Sequence, residues 1–293
     1  MKPTPAKPFL KWAGGKTQLL EEFKRRIPPG LKEGELSVFI EPFVGGGAVF
    51  FYFNSIFDFE KCHIFDVNEE LTLAYTVVRD DVESLIDHLD EISLDFLSRD
   101  DSARKEYYYH VRSEFNQSKA DIDYCRFSSA WTDRASQLIF LNRTCFNGLY
   151  RVNGRGDFNV PYGKYKNPKI LNADLLRTDS ELLQNTEIHC GDFTAAGPFI
   201  SDTSFVYFDP PYRPLNRTSS FTGYSKDGFS DDEQGRLAQF FTKCDRAEAQ
   251  LLLSNSDPRN INPDDDFFDS LYSDYRIERV PANRRINRDG TKR

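Results

Sequence analysis

The stretch VYFDPPYRP (206–214) is the part of this sequence best equipped for chemistry. An apolar run leads straight into Asp209-Pro210-Pro211-Tyr212. Proline locks its own φ and restricts the residue before it, so the backbone of this turn is fixed. Such a turn can hold a carboxylate and a main-chain carbonyl at one point, with an aromatic face above them. That set suits the exocyclic amine of a base: Asp209 and the Pro210 carbonyl accept its N–H bonds, and Tyr212 stacks on the ring.

A second candidate site lies in FIEPFVGGGAVFF (39–51). A dinucleotide fingerprint needs G-x-G-x-x-G after a strand. Here Gly45 and Gly47 supply the first two glycines, and Phe50 stands where the third belongs. A glycine turn still lets a ligand approach the backbone closely. Asp66 closes the next apolar run, at about the distance where an acid meets ribose hydroxyls. Glu41 sits at the mouth of the turn, where it repels phosphate and suits a cation. A nucleoside with ribose, without pyrophosphate and with positive charge meets all three conditions, and S-adenosylmethionine is such a molecule. Either motif alone reads as a tight turn or a solvent-facing acid; their spacing together favours the ligand.

FLKWAGGKTQLL (9–20) ends like a phosphate loop, but Leu10 stands where that signature requires glycine. It reads better as a lid on a cationic cofactor, with Trp12 offering an aromatic face.

The elements that must position these groups follow from patterning. Apolar runs at 36–40, 61–65, 205–208 and 250–253 are predicted strands, with a further strand at 276–280. Helical patterns begin at Ala48, cover 69–78, and follow Ser230-Asp-Asp-Glu233, whose spacing is a capping box, to about Lys243. Strand–helix alternation predicts an α/β fold with a parallel sheet. Between about 80 and 165 the texture changes: an acidic, helix-prone stretch gives way to a basic segment. Asn153-Gly154 there is the strongest hairpin signal in the chain. This region reads as a module inserted into the α/β domain.

Composition sets outer bounds. The chain has 293 residues, 39% of them hydrophobic, with 26 Phe and 14 Tyr, enough for a substantial core. No apolar run approaches the ~18 residues of a membrane span, and the N-terminus lacks a signal-peptide h-region. Cysteines 62, 125, 145, 190 and 244 are scattered without a C-x-x-C pair. They fit reduced thiols in a cytoplasm, and no His/Cys ligand pattern predicts a metal. The net charge of −8 disfavours polyanions on average, but the charge is segregated. Residues 79–101 are acidic. Residues 142–170 carry Arg143, Arg151, Arg155, Lys164, Lys166 and Lys169 against Asp157 alone, and 276–293 are again basic. A single basic run is ordinarily a solvated face; two in an acidic chain make a polyanion-binding face worth testing.

In chain order, FLKWAGGK, EPFVGGG, the Asp66 strand end, NRTCFNGLYR…GDFNVPYGKYKNP, GDF at 191–193 and DPPY resemble the Dam/DpnII group of DNA adenine-N6 methyltransferases, which act on GATC sites. The resemblance covers nearly the whole chain. No Pro-Cys pair is present, which argues against covalent cytosine-C5 chemistry. It implies an α/β Rossmann-like S-adenosylmethionine-dependent methyltransferase sheet with an inserted helical and β-hairpin DNA-recognition domain. The catalytic domain would comprise 1–78 and 169–293, and the recognition domain 79–168. Asp209, Pro210, Pro211 and Tyr212 match the catalytic motif. Trp12, Lys16, Asp66 and Asp209 match the family's S-adenosylmethionine contacts. Ala13, Gly14, Glu41, Pro42, Phe43, Gly45 and Gly47 share those motifs, and Asp192 and Phe193 match the segment lining the cofactor's adenine. Lys11, Leu149, Arg151 and Pro161 lie where the family reads bases, and Phe146 where a side chain wedges into the duplex. Ordinary hairpin packing is the competing reading of Phe146 and Leu149. Arg143, Asn147, Asn159 and Lys164 complete the expected DNA face. Double-stranded DNA is the implied partner, with room for a restriction nuclease acting on the same site, in the cytoplasm. Two rivals stay open: a methyltransferase acting on another site, on RNA or on a protein amide, and a DNA-binding homologue without activity.

Overall fold

The computed structural model describes residues 5–213 and 229–281. Its centre is a parallel sheet of β1 (Val38–Glu41), β2 (Lys61–Asp66), β3 (Thr186–Cys190), β4 (Ser204–Phe208) and β5 (Gln250–Leu253), in the order β3-β2-β1-β4-β5. The direction of strand addition reverses between β1 and β4. In open parallel sheets ligands bind outside the carboxyl ends of the strands at such a switch point.

Alternate residues of each strand serve different cores. Phe39, Cys62, Ile64, Phe205 and Tyr207 join the larger core, and Ile40, Phe65, Val206 and Phe208 the smaller one on the other face. Burial on both faces explains why β1, β2 and β4 read as largely apolar runs; β5, at the edge, is only partly buried. Two short helices, α1 (Leu20–Lys24) and α2 (Pro29–Glu33), lead into the sheet, and α3 (Ala48–Ile56) and α4 (Glu69–Asp80) follow β1 and β2. Asn68 caps α4 by accepting from the Glu70 and Leu71 N–H groups. Beyond the insertion come α8 (Ala173–Leu183), α9 (Asp231–Arg246) and α10 (Phe267–Leu271). Ser230 caps α9 by accepting from the Glu233 N–H at 3.3 Å, at the position its sequence predicts.

The insertion consists of α5 (Val82–Ser98), α6 (Asp101–Gln117), α7 (Ser129–Thr144) and the basic hairpin. The hairpin is held less by its own ladder than by α6. Asn116 acts as a surrogate strand, accepting from the Phe158 N–H at 2.8 Å and donating to the Phe158 carbonyl at 3.0 Å. Tyr108 and Arg112 both donate to the Val160 carbonyl, at 2.7 and 3.1 Å. The turn differs from a two-residue Asn-Gly reversal. Asn153 N–H bonds the Asp157 carbonyl, and the positive φ of 85° falls on Gly156 rather than Gly154. The loop is therefore Gly154-Arg155-Gly156, a three-residue hairpin with left-handed glycine at its end. The Asn153 side chain accepts from the Arg155 and Asp157 N–H groups and fixes it.

Three expectations are corrected. The strand expected at 36–40 begins at Val38 and extends to Glu41, which makes Glu41 a buried strand residue. No strand forms at 276–280; that segment is held by ion pairs of Glu278 with Arg26 and of Arg279 with Asp257 and Asp269. The sequence TEIHC, which gave no strand signal, is β3, at the edge of the sheet. The basic residues at 282–293 lie outside the described residues, as does Pro214. Among the described residues no helix is long and apolar enough to cross a membrane.

Candidate active site

Each strand delivers a polar residue to the same edge of the sheet: Glu41 at the end of β1, Asp66 of β2, Asp192 just past β3, Asp209 after β4 and Ser254 after β5. Asp209 is the centre of this set. Lys16 Nζ donates to its Oδ2 at 2.6 Å, and Ser254 Oγ donates to its Oδ1 at 3.1 Å. Lys16 is itself only 6% exposed, held by the Gly14 carbonyl at 2.8 Å, with its ammonium 4.5 Å from the Tyr212 ring centre. Ser254 Oγ also lies 2.9 Å from the Tyr207 hydroxyl. A fixed chain of hydrogen bonds thus runs from Gly14 through Lys16, Asp209 and Ser254 to Tyr207. Burial pushes the Asp209 carboxyl above its ordinary range, and Lys16 and Ser254 offset only part of that. Ser254 was not singled out from sequence; its signal is a polar residue directly after a strand that pairs with β4.

Glu41 is fully enclosed, and its Oε2 has no hydrogen-bond partner. Burial, and then the neighbouring Asp209 charge, hold its carboxyl well above the usual range. An orphaned buried oxygen of this kind calls for a donor, and a cation satisfies it best. Asp66 has a different first task from the ribose contact expected of it. Its Oδ2 accepts from the Gly45 N–H at 3.1 Å and its Oδ1 from the Asn68 N–H at 2.9 Å, so it braces the glycine turn. Each carboxylate oxygen retains a further lone pair for a ligand hydroxyl. Burial raises Asp66 to about 6.

The glycine turn is packed from both sides. A Cβ at Gly45 would lie 3.0 Å from Trp12 Cδ1, and one at Gly47 would lie 2.4 Å from the Tyr75 hydroxyl oxygen. Gly47 also has a φ of 72°, which disfavours any side chain. Gly47→Ala is expected to destabilise the fold by about 2–4 kcal/mol through backbone strain plus this clash, read as a lowered midpoint in urea unfolding. A change below about 1 kcal/mol would show that the turn can open without cost.

Trp12 stacks on Tyr150, with ring centres 5.0 Å apart and planes 22° from parallel, so the N-terminal segment bridges the glycine turn and the insertion. Phe43 and Phe193 meet with ring centres 5.4 Å apart, and Phe229 closes against both. The three rings form an aromatic wall beside the ends of β1 and β3. Asp192 is engaged beside it by the two terminal guanidinium nitrogens of Arg236, at 2.9 and 2.7 Å. Ala13 and Gly14 are exposed at the rim, and Pro42 is buried beneath it.

Of the residues expected to face DNA, Lys11 is held against the hairpin segment. Buried Asn142 fixes the Lys11 backbone by accepting from its N–H at 2.8 Å and donating to its carbonyl at 2.9 Å. The Lys11 side chain lies across Gly148 and points to the Tyr165 ring at 5.4 Å. The Tyr165 hydroxyl accepts from the Asn147 N–H, and the Phe146 N–H bonds the Pro161 carbonyl. Phe146 is 50% exposed, a large apolar ring presented to solvent. Arg151 and Lys164 are exposed as well, and Arg151 Nε donates to Asn159 Oδ1 at 2.7 Å. Leu149 is half-buried against the core. Arg143 is turned inward onto the Phe9 carbonyl, apart from the exposed set.

The chain is similar to known proteins over most of its length. The family model described as "D12 class N6 adenine-specific DNA methyltransferase" matches residues 12–286. The chain is 52% identical to the "Type II methyltransferase M.MjaIII" of Methanocaldococcus jannaschii, over 98% of this chain and 95% of that one. It is 36% identical to the "DNA adenine methylase" of Escherichia coli K12, over 85% of this chain and 80% of that one. The "DNA N-6-adenine-methyltransferase" of Escherichia phage P1 is 35% identical over 97% of this chain and 34% of its own length. With the sheet order, the acids at the strand ends and the Asp209–Tyr212 turn, these matches place the chain in the D12 class of N6 adenine-specific DNA methyltransferases.

Proposed function

We propose that the chain transfers the methyl group of S-adenosylmethionine to N6 of adenine in duplex DNA, at GATC sites, after flipping the target nucleotide out of the helix. The observation that carries this reading is the Asp209 carboxylate, fixed by Lys16 and Ser254 beside the unpartnered oxygen of Glu41. The domain division at 1–78, 79–168 and 169–293 belongs to the same reading, as do a cytoplasmic location and a restriction nuclease reading the same site.

The residues present fit the cofactor. Glu41 offers an orphaned acceptor to its ammonium, Asp66 retains lone pairs for ribose hydroxyls, and the Phe43–Phe193 wall takes the adenine. Trp12, Ala13, Gly14, Lys16, Pro42, Gly45, Gly47 and Asp192 would complete the cofactor site at the carboxyl ends of the strands. When bound, S-adenosylmethionine supplies an electrophilic sulfonium methyl.

The protein's own part is positioning and electrostatics. The amine of adenine is a poor nucleophile because its lone pair is delocalised into the ring. Asp209 and the Pro210 carbonyl accept its N–H bonds and favour a more tetrahedral nitrogen, which frees the lone pair. Tyr212 stacks on the flipped base, and Pro211 holds the turn rigid. Extrusion costs a few kcal/mol, and Phe146, an exposed ring, would fill the gap left in the stack. Lys11, Asn147, Leu149, Arg151, Asn159 and Pro161 would face the bases, and Lys164 the phosphates. Arg143 acts from inside by holding the N-terminal segment at Phe9.

Transfer of radiolabelled methyl to a GATC duplex, and not to one with the site scrambled or to the matching RNA, is the expected result. Equal labelling of all three would overturn the site and the substrate. Arginine pairs bidentately with guanine in the major groove, each such pair contributing about 1–3 kcal/mol of discrimination. Arg151→Ala is therefore expected to narrow the preference for GATC over single-base variants by that amount, read as the ratio of kcat/KM values. Uniform weakening on all duplexes would make Arg151 a phosphate contact instead.

A further inference from the structure

Away from the cleft, on the face of the sheet covered by the smaller core, β2 and β3 bring together His63, Glu187 and His189. The parallel register sets His63 against Glu187 and Phe65 against His189, so both imidazoles and the carboxylate project to one side. Among the described residues this is the one group of His, Cys and acidic side chains with metal-ligand spacing.

Its dimensions are specific. His63 Nδ1 and His189 Nε2 are 3.2 Å apart, and Glu187 Oε2 is 3.6 Å from the first and 3.8 Å from the second. Zinc bonds of 2.0–2.1 Å put two ligand atoms of a tetrahedron about 3.3–3.5 Å apart, close to the edges of this triangle. Hydrogen bonding alone does not account for the third vertex. The imidazoles can share one proton, but Oε2 is too far from either nitrogen to accept a hydrogen bond.

The side chains are also held in place. Phe199 stacks on His63 at 4.2 Å between ring centres, and Phe65 stacks on His189 at 4.3 Å. The other carboxylate oxygen of Glu187, Oε1, is taken by Lys61 at 2.7 Å, which aims Oε2 at the imidazoles. Outer partners of this kind orient metal ligands.

We propose that His63 Nδ1, His189 Nε2 and Glu187 Oε2 form a binding site for a zinc-class divalent transition metal, with the fourth position open to water on the exposed side of Glu187. The metal clasps edge strand β3 to β2. The strand continues into Gly191, whose N–H bonds the Asp66 carbonyl at 3.0 Å, and into Asp192 and Phe193 of the cleft wall. A clasp here steadies that wall without entering the chemistry. Sequence gave no hint of a metal because His63 and His189 are 126 positions apart and meet only through β2–β3 pairing.

The test is calorimetric titration of the full chain with zinc chloride after chelator treatment, with cobalt(II) absorption as a second readout. One equivalent is expected to bind with micromolar or tighter affinity, to raise the melting temperature, and to give tetrahedral d–d bands with cobalt. The His63→Gln/His189→Gln double variant should lose this binding, and the surface variant His110→Gln should keep it. Glu187→Gln, at a half-exposed position that should not impair folding, is expected to weaken binding at least about tenfold. No stoichiometric binding by the wild type, or wild-type affinity in the double variant or in Glu187→Gln, would overturn the proposal.

Discussion

Replacing Asp209 by alanine is expected to lower methyl transfer at least about 10³-fold while leaving the fold in place. No other described side chain stands at the end of β4 with both oxygens already oriented, one by Lys16 and one by Ser254. An acceptor so fixed needs no reorganisation when the amine begins to form its new bond, and a water in its place would have to be ordered first. The substitution should cost little stability. Burial raises the Asp209 pKa, so its contribution is most favourable below the unfolded value and is lost as pH rises through the folded one. At neutral pH the ionised carboxylate therefore burdens the fold as far as its own burial goes, and Lys16 only partly relieves it. What the substitution strands is the Lys16 ammonium, which keeps the Gly14 carbonyl and the Tyr212 face. If Asp209→Ala melts early, Asp209→Ala/Lys16→Met removes the stranded charge and shows whether that charge is the cause. Near-normal turnover in either variant would sink the assignment of Asp209. The same raised pKa places the acid limb of kcat/KM above the pH of an ordinary aspartate, because the acceptor must be ionised.

β1, β2 and β4 were legible because each is buried on both faces and so is predominantly apolar, and β5 because its three leucines, though partly exposed at the sheet edge, run without interruption. β3, TEIHC, is the other edge strand, and what hid it is its mixture of polar and apolar residues, which resembles any exposed loop. The acids and the DPPY turn were found by type and position. What they do to one another was not. Asp66 lies at the spacing of a ribose-binding acid, yet its oxygens already accept from the Gly45 N–H of the turn preceding it and from the Asn68 N–H that follows. Glu41 was expected at the mouth and proves to be the last residue of a buried strand, which is why its carboxyl is so perturbed. Ser254 and Asn142 escaped altogether. Each acquires its partner, Asp209 or the Lys11 backbone, only when strands or segments far apart in sequence are laid side by side. Tertiary pairing creates these contacts, and no local pattern encodes them.

Arg134→Met is expected to destabilise the protein by about 3–5 kcal/mol, although Arg134 touches nothing in the cleft. Its guanidinium, 2% exposed, engages both oxygens of Glu70, with Nε at 2.9 Å from Oε2 and the second contact through Oε1. It also donates to the Phe115 carbonyl and stacks on the Phe115 ring at 3.6 Å. The Tyr124 hydroxyl adds a 2.6 Å bond to Glu70. One buried ion pair therefore joins α4 of the sheet domain to α6, α7 and the segment between them in the insertion. Removing the arginine leaves Glu70, itself 3% exposed, as a buried charge with only Tyr124 for company. A hydrophobic pair of similar volume avoids that, so Glu70→Leu/Arg134→Met should recover most of the loss. The consequence for function runs through sequence neighbours. Glu70 lies in the first turn of α4, beside its cap Asn68, whose N–H holds Asp66, and Asp66 holds the glycine turn through Gly45. Amide exchange at Gly45 and Asn68 should rise in Arg134→Met and return toward wild type in the double variant. A single variant that melts within about 2 °C of wild type would mean that the pair is nearly neutral and that packing alone carries the junction.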